Sequence, residues 1–87
     1  MANYNVTFKN SVAKDLKSLP KADIKKILAK IDALSENPRC EGAIKLSGKH
    51  LYRIRQGLYR IVYEIRDREL IVQVIKIGHR SDVYKSV

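Results

Sequence analysis

Hydrophobic and polar residues alternate with a period of two along residues 52–65, YRIRQGLYRIVYEI. Tyr52 and Ile54 fall on one side of an extended chain, and Arg53 and Arg55 fall on the other. The alternation resumes after a short segment that contains a glycine. Period-two patterning on both sides of such a segment predicts a β-hairpin.

The length of the turn decides which residues of this hairpin share a face. With a two-residue loop at residues 56–57, Arg53 lies opposite Arg60 and Arg55 lies opposite Leu58, and the three arginines share one face. A four-residue loop keeps this parity, whereas a three-residue loop moves Arg60 to the other face. Like charges directly opposite each other are destabilising. We therefore expect this face to bind an anion.

A short strand and two amphipathic helices are predicted before the hairpin. The segment NYNVTF, residues 3–8, is a plausible first strand. Asn10 or Ser11 is expected to cap a first helix, and Pro20 suits the first turn of a second helix that ends at residues 37–38. The second helix repeats apolar residues on one face: Ile24, Ile27, Leu28, Ile31 and Leu34.

A last strand follows the hairpin, because ELIVQVIKIG at residues 69–78 is rich in β-branched residues. With a two-residue turn at residues 67–68, Leu70, Val72 and Val74 align with the apolar face of the hairpin. The element order is then β-α-α-β-β-β, with a short extended piece before the hairpin. This order predicts an α+β fold in which two N-terminal helices pack on one face of a mostly antiparallel, twisted sheet.

Composition limits the class of protein. A chain of 87 residues predicts one domain over residues 1–87. We expect no signal peptide and no membrane span, because no apolar run is long enough. The one cysteine, Cys40, excludes an internal disulfide and suits the reducing cytoplasm. One cysteine and two scattered histidines make no metal site, and we expect no cofactor.

The charge balance indicates polyanionic partners. Lys and Arg total 18 against 9 acidic residues, a formal net charge of +9. Nucleic acid, a membrane surface and an acidic protein all fit such a charge. A membrane is disfavoured because the apolar stripe of the second helix carries no aromatic residue.

The end of the last strand is predicted to meet the arginines of the hairpin, since antiparallel pairing brings residues 77–80 close to Tyr59 and Arg60. One concavity would then collect four arginines, a tyrosine and a histidine: Arg53, Arg55, Arg60, Arg80, Tyr84 and His79. This set suits cleavage of RNA by its own 2′-hydroxyl. Guanidinium groups stabilise the charge that develops on phosphorus, and an aromatic ring stacks on a base.

The arginines do not supply the proton donor and acceptor that this cleavage needs, since arginine stays protonated. His79 is the one group of the predicted cluster that titrates near neutral pH, although a histidine at a strand end is often only a polar turn residue. His50 precedes the hairpin and is expected to lie farther away. A structural alternative pairs the arginines with Glu64 or Asp82.

Two segments, KLSGKHLYRIRQGLYRIVYEI at residues 45–65 and VIKIGHRSDVYK at residues 74–85, resemble the RelE/ParE superfamily of toxins from type II toxin–antitoxin systems. The resemblance covers essentially the whole chain and implies the RelE-like fold. RelE-like members cut messenger RNA in the ribosomal decoding site, and ParE-like members inhibit DNA gyrase. The tail GHRSDVY is similar to the RelE branch.

The resemblance also implies roles for individual residues. Arg60 corresponds to the phosphate-binding arginine of the family, Arg80 to its second catalytic arginine, and Tyr84 to the tyrosine that stacks on or orients the substrate. Arg53 and Arg55 fall at two basic positions that are lysines in the best-known member, a change that keeps phosphate stabilisation. Lys49 and Lys76 are further candidates for RNA binding, and His79 remains the candidate acid or base because some relatives use histidine.

Partners follow from the same resemblance. A RelB-like antitoxin, commonly acidic, is expected to wrap the toxin with a helix, and operator DNA is contacted only through that complex. The expected function is a cytoplasmic, ribosome-dependent mRNA endoribonuclease. The alternatives are a gyrase inhibitor on the same fold and a nucleic-acid-binding module without catalysis.

Overall fold

The computed structural model describes residues 3–46 and 50–79 and shows two helices packed on one sheet. The elements are β1 (Asn5–Phe8), α1 (Asn10–Lys17), α2 (Lys21–Glu36), β2 (Ile44–Lys45), β3 (Leu51–Gln56), β4 (Tyr59–Arg66) and β5 (Ile71–His79). The sheet has the order β1-β5-β4-β3-β2, in which β1 is parallel to β5 and the other pairs are antiparallel. The predicted α+β fold is confirmed, with a mixed sheet whose edge includes the two-residue β2.

The core lies between the two helices and one face of the sheet. The helices contribute Val12, Ile27, Ile31 and Leu34, and the sheet contributes Ile54, Ile61, Tyr63, Ile65, Val72, Val74 and Ile77. Tyr63 is fully buried, and its hydroxyl donates a hydrogen bond of 2.6 Å to the carbonyl oxygen of Pro38. This bond ties the loop after α2 to the middle strand. Leu28, predicted on the buried stripe, is instead exposed.

The start of α1 differs from the prediction that Asn10 or Ser11 caps it. Lys9 occupies the N-cap position and makes no side-chain capping bond. The reason is the pairing of β1 with β5: the backbone N–H of Lys9 donates to the carbonyl of Val74 at 2.9 Å. Lys9 is therefore the last extended residue, and the helix begins at Asn10. Pro20 is likewise the N-cap of α2 rather than a residue of its first turn.

The hairpin turn of β3 and β4 is a two-residue loop, as predicted, but at residues 57–58 rather than 56–57. Gly57 has a φ of +61°, and Gly at the first central position is what a type II′ turn requires. Arg55 therefore lies opposite Arg60, not opposite Leu58, and Arg53 lies opposite Val62. The observed pairing of β3 with β4 is shifted by two residues from the predicted one, so each side chain stays on its predicted face.

The turn between β4 and β5 spans residues 67–70, and the two-residue loop predicted at residues 67–68 is wrong. Leu70 lies in this turn with a φ of +54° and is 37% exposed, so it does not join the core face. The two terminal guanidinium nitrogens of Arg39 donate to the Asp67 carboxylate at 2.9 and 2.8 Å, and the Tyr4 hydroxyl donates to it as well. These contacts favour the longer turn.

Candidate active site

A β-bulge in β5 sets the register at the end of the sheet where the candidate site lies. Val74 pairs with Tyr63, but Lys76 pairs with Val62, so Ile75 is an extra residue without a partner in the ladder. The prediction of regular alternation along β5 missed this bulge. The sequence carries a signal for it, because the core-facing residues are Val72, Val74 and then Ile77, an odd spacing.

Three arginines lie on the face of β3 and β4 that points away from the helices, as the alternation predicted. We call Arg53, Arg55 and Arg60 the arginine face. Arg55 and Arg60 are directly paired across the two strands, and Arg53 lies two residues farther along β3. Paired residues of an antiparallel ladder have their side chains on the same side of the sheet. Gly78 is the partner of Arg60 on β5, so no side chain of β5 occupies that position.

The arginines differ in exposure. Arg55 is exposed, Arg53 is half-buried, and Arg60 is only 5% exposed. Arginine stays protonated in proteins, so Arg60 carries its charge in a site with little water. An anion that reaches such a charge interacts with it more strongly than in open solvent. Burial thus distinguishes Arg60 from Arg53 and Arg55 on this face.

The structural alternative, in which these arginines pair with acidic residues, is not supported for two of them. Glu64 is bound by Arg66, which also approaches Glu69. Within residues 3–46 and 50–79, neither Arg53 nor Arg55 forms a salt bridge with a carboxylate. Asp82, the other expected partner, lies outside the described residues.

His79 is placed on the other side of the sheet from the arginine face. It pairs with Tyr59, and the two rings meet edge to face with centroids 6.3 Å apart. The Tyr59 hydroxyl donates to Asp23 of α2 at 2.9 Å, which shows that this pair points towards the helices. The same bond raises the pKa of Tyr59, because it stabilises the neutral phenol beside a carboxylate. The structure thus places His79 at the predicted end of the sheet, but on the face opposite the arginine face.

The helix side at this end holds a pocket of about 400 Å³. Lys76 lies in its wall, and its ammonium group binds Asp15 of α1 at 3.1 Å. The role of Lys76 in RNA binding stays a prediction, and the ion pair would have to open for it. Arg80, Tyr84 and Lys49 lie outside the described residues.

The arginine face has the chemistry that phosphate binding needs. Two exposed or half-exposed guanidinium groups and a buried one share a face, and each is a planar fork suited to phosphate oxygens. In the described part of the chain, no three His, Cys, Asp or Glu side chains are arranged to hold a metal ion.

Comparisons with known proteins identify the family of this chain. Residues 6–84 match the family of ParE toxins of the type II toxin–antitoxin system parDE. RelE1 of Methanocaldococcus jannaschii is 33% identical over 87 residues, which cover 95% of this chain and 97% of that protein. The mRNA interferase toxin RelE of Escherichia coli K12 is 31% identical over 86 residues, with coverage of 93% and 90%.

The fold is also similar to solved structures. In the crystal structure of the archaeal RelE–RelB complex from Pyrococcus horikoshii, the matching chain has a TM-score of 0.78 at 30% identity, covering 92% of this chain and 97% of that one. The chain therefore belongs to the ParE toxin family of type II toxin–antitoxin systems. The expected membership of the RelE/ParE superfamily is confirmed, and the fold is RelE-like.

Proposed function

We propose that this protein is a RelE-like toxin that stops translation by cutting messenger RNA in the ribosomal A site. The observation that carries the proposal is the arginine face: three guanidinium groups on one side of the sheet, of which Arg60 is buried. The 31% identity to a protein named mRNA interferase toxin RelE supports the same activity.

The proposed reaction uses the RNA as its own nucleophile. The 2′-oxygen attacks the adjacent phosphorus, the bond from phosphorus to the 5′-oxygen breaks, and the products are a 2′,3′-cyclic phosphate and a 5′-hydroxyl. One proton leaves the 2′-hydroxyl and one reaches the 5′-oxygen. Negative charge develops on the phosphoryl oxygens between these events, and fixed positive groups lower that barrier. The arginine face supplies such groups.

The arginines divide this work according to their burial. Arg60, shielded from water, is assigned to the scissile phosphate, where charge stabilisation is worth most. Arg53 and Arg55 are accessible and are assigned to neighbouring phosphates of messenger or ribosomal RNA. Arg80 as a second catalytic arginine and Tyr84 as a base-stacking residue are proposed from the family resemblance. His79 is not assigned the proton transfer, because its ring meets Tyr59 on the helix side of the sheet.

A protein partner is part of the proposal. The Pyrococcus horikoshii RelE was solved in a complex with RelB. We propose that a RelB-like antitoxin with an acidic helical segment neutralises this protein, that it alone carries the complex to operator DNA, and that both act in the cytoplasm. A net charge of +9 favours rapid association with such a partner and with ribosomal RNA.

Primer extension on a messenger RNA in a reconstituted translation mixture tests the activity. The reactions contain wild type, Arg55→Gln or Arg68→Gln, and a further reaction lacks ribosomes. Arg68 is an exposed residue of the β4–β5 turn, so its variant loses the same charge away from the arginine face. We expect ribosome-dependent cuts with wild type and Arg68→Gln, and weaker cuts with Arg55→Gln.

Two other results would contradict the proposal. Intact messenger RNA together with loss of supercoiling activity by DNA gyrase would establish the gyrase-inhibitor alternative. Intact messenger RNA together with binding to RNA that weakens steeply with salt would establish a binding module without catalysis.

A further inference from the structure

Asp15 of α1 makes two contacts with β5 that no part of the proposed catalysis uses. Its Oδ1 accepts from the ammonium group of Lys76 and its Oδ2 accepts from the backbone N–H of Ile77, both at 3.1 Å. The Asp15 side chain is only 13% exposed. A carboxylate that is this well covered and accepts two hydrogen bonds is held in one position, and it holds its partners in turn.

The backbone bond to Ile77 occurs where the sheet loses a strand. The parallel pairing of β1 with β5 ends at Phe8 and Val74, because the chain then turns into α1. The outer edge of β5 beyond Val74 is therefore without a neighbouring strand among the described residues, and its N–H groups need other acceptors. Asp15 supplies one of them immediately after the bulge at Ile75.

The bulge decides which side chain stands beside Arg60. If the regular pairing of Tyr63 with Val74 continued without a bulge, Arg60 would face Ile77, and Ile61 would face Lys76. An isoleucine would then fill the position beside the buried guanidinium, and a lysine would enter the core. With the bulge, Ile77 faces Ile61 in the core and Gly78 faces Arg60. The identity of the residue beside Arg60 on β5 therefore depends on the bulged register.

We propose that Asp15 is a positioning residue for the site: by holding Lys76 and the Ile77 N–H it fixes the bulged register of β5 and so keeps Gly78 beside Arg60. The register claim stands on geometry alone, and the effect on cleavage rests on the proposed function. Asp15 touches no substrate in this account. Its influence reaches the arginine face through the backbone of β5.

The test compares Asp15→Ala and Asp15→Asn with Asp32→Ala. Asp32 is an exposed aspartate of α2 and provides a control for loss of one helical carboxylate. Asp15→Asn keeps an acceptor for the Ile77 N–H and nearly the same volume. We therefore expect Asp15→Asn to fold, keep the register and restore most of what Asp15→Ala loses.

Two readouts separate positioning from general stability. In NMR spectra we expect cross-strand NOEs between Arg60 and Gly78 in wild type, Asp32→Ala and Asp15→Asn, and their loss in Asp15→Ala. In ribosome-dependent cleavage we expect kcat to fall about 10–100-fold in Asp15→Ala, the range typical of a misplaced site, with KM nearly unchanged because β3 still presents Arg53 and Arg55.

Several results would overturn the inference. Retained Arg60–Gly78 NOEs in Asp15→Ala would show that Asp15 does not set the register. A lost register with wild-type cleavage would show that the register does not matter for the site. If Asp15→Asn loses the NOEs and the cleavage rate as fully as Asp15→Ala, the acceptor for the Ile77 N–H does not set the register. If Asp15→Ala does not fold, these losses in Asp15→Asn alone lead to the same conclusion. A wild type that cuts nothing would refute the proposed function, while the NOEs would still decide the register.

Discussion

Arg55 and Arg60 are direct partners in the antiparallel ladder of β3 and β4. Both are permanently charged, and side chains of paired residues lie close together on the same face. Like charges in such a pair repel each other, and a threonine or valine at position 55 would suit the sheet better. A bound phosphate between the two guanidinium groups would turn the repulsion into attraction. The pair is thus a local conflict of the kind found at functional sites.

Replacing Arg55 by threonine should separate stability from activity. We expect Arg55→Thr to raise the free energy of unfolding by about 0.2–1 kcal/mol, because it removes a like-charge pair and adds a residue suited to strands. Ribosome-dependent cleavage should fall in the same variant. Urea unfolding at low salt measures the first effect, and Arg68→Thr is the control for charge. A variant that is less stable than wild type would show that the repulsion is already relieved in the folded protein.

Asp67 gives the protein a defined response to acid. The guanidinium of Arg39 and the hydroxyl of Tyr4 lower the pKa of Asp67 from 3.8 to about 2. A carboxyl whose folded-state pKa is depressed contributes stability above its unfolded pKa and loses that contribution as the pH falls through the folded value. Wild type should therefore melt higher than Asp67→Asn at neutral pH, and the difference should shrink between about pH 4 and pH 2.

Thermal melts of the two proteins across that range measure the effect. Because Asp67 is more than half exposed, a small difference is expected. Asp32→Asn, at an exposed helical position, is the control for loss of a carboxylate elsewhere on the surface. A constant difference between wild type and Asp67→Asn down to pH 2 would mean that the Arg39–Asp67 pair does not depend on the charge of the carboxyl.

The placement of His79 predicts a modest role in cleavage. Its ring meets Tyr59 on the helix side, whereas the arginines leave the sheet on the other side. We expect His79→Gln to lower the cleavage rate less than Arg60→Gln and to leave the shape of the pH–rate profile unchanged. Single-turnover rates at several pH values measure both. Loss of one limb of the profile in His79→Gln would instead identify His79 as the proton shuttle.

Ile61 tests the assignment of the sheet faces. It is fully buried in β4, so Ile61→Asp would place a charge without a partner in the core and should unfold the domain. Leu58→Asp is the matched control, since Leu58 is 61% exposed in the hairpin turn. Circular dichroism melts compare the two. A normal melt for Ile61→Asp would contradict the position of the core.

The sequence predicts the face of each strand residue correctly as long as the turn has the expected even or odd number of residues. Alternation in β3 and β4 was enough to place Arg53, Arg55 and Arg60 on one face. It could not tell a loop at residues 56–57 from one at residues 57–58, because both keep the same faces. The requirement for Gly at the first position of a type II′ turn, and not the hydrophobic pattern, decides that register.

The bulge at Ile75 explains what regular alternation along β5 predicted incorrectly about the site. One extra residue reverses the faces of everything after it, so Gly78 joins the arginine side and His79 the helix side. The Asp15 bond to Ile77 beside this bulge joins residues far apart in sequence, and alternation reports only on neighbours along one strand. The burial of Arg60 was also missed, because alternation reports the face of a residue and not what covers it.

The most direct measurement is the single-turnover rate of messenger RNA cleavage on programmed ribosomes by wild type, Arg60→Gln and Arg68→Gln. Rates are normalised to the folded fraction, because Arg60 is buried and its loss is expected to lower stability. We predict a fall of about 10²–10³-fold for Arg60→Gln, the range for removing one group that stabilises developing charge, and a wild-type rate for Arg68→Gln. A wild-type rate for Arg60→Gln, or equal losses in both variants, would contradict the assignment of the arginine face to catalysis.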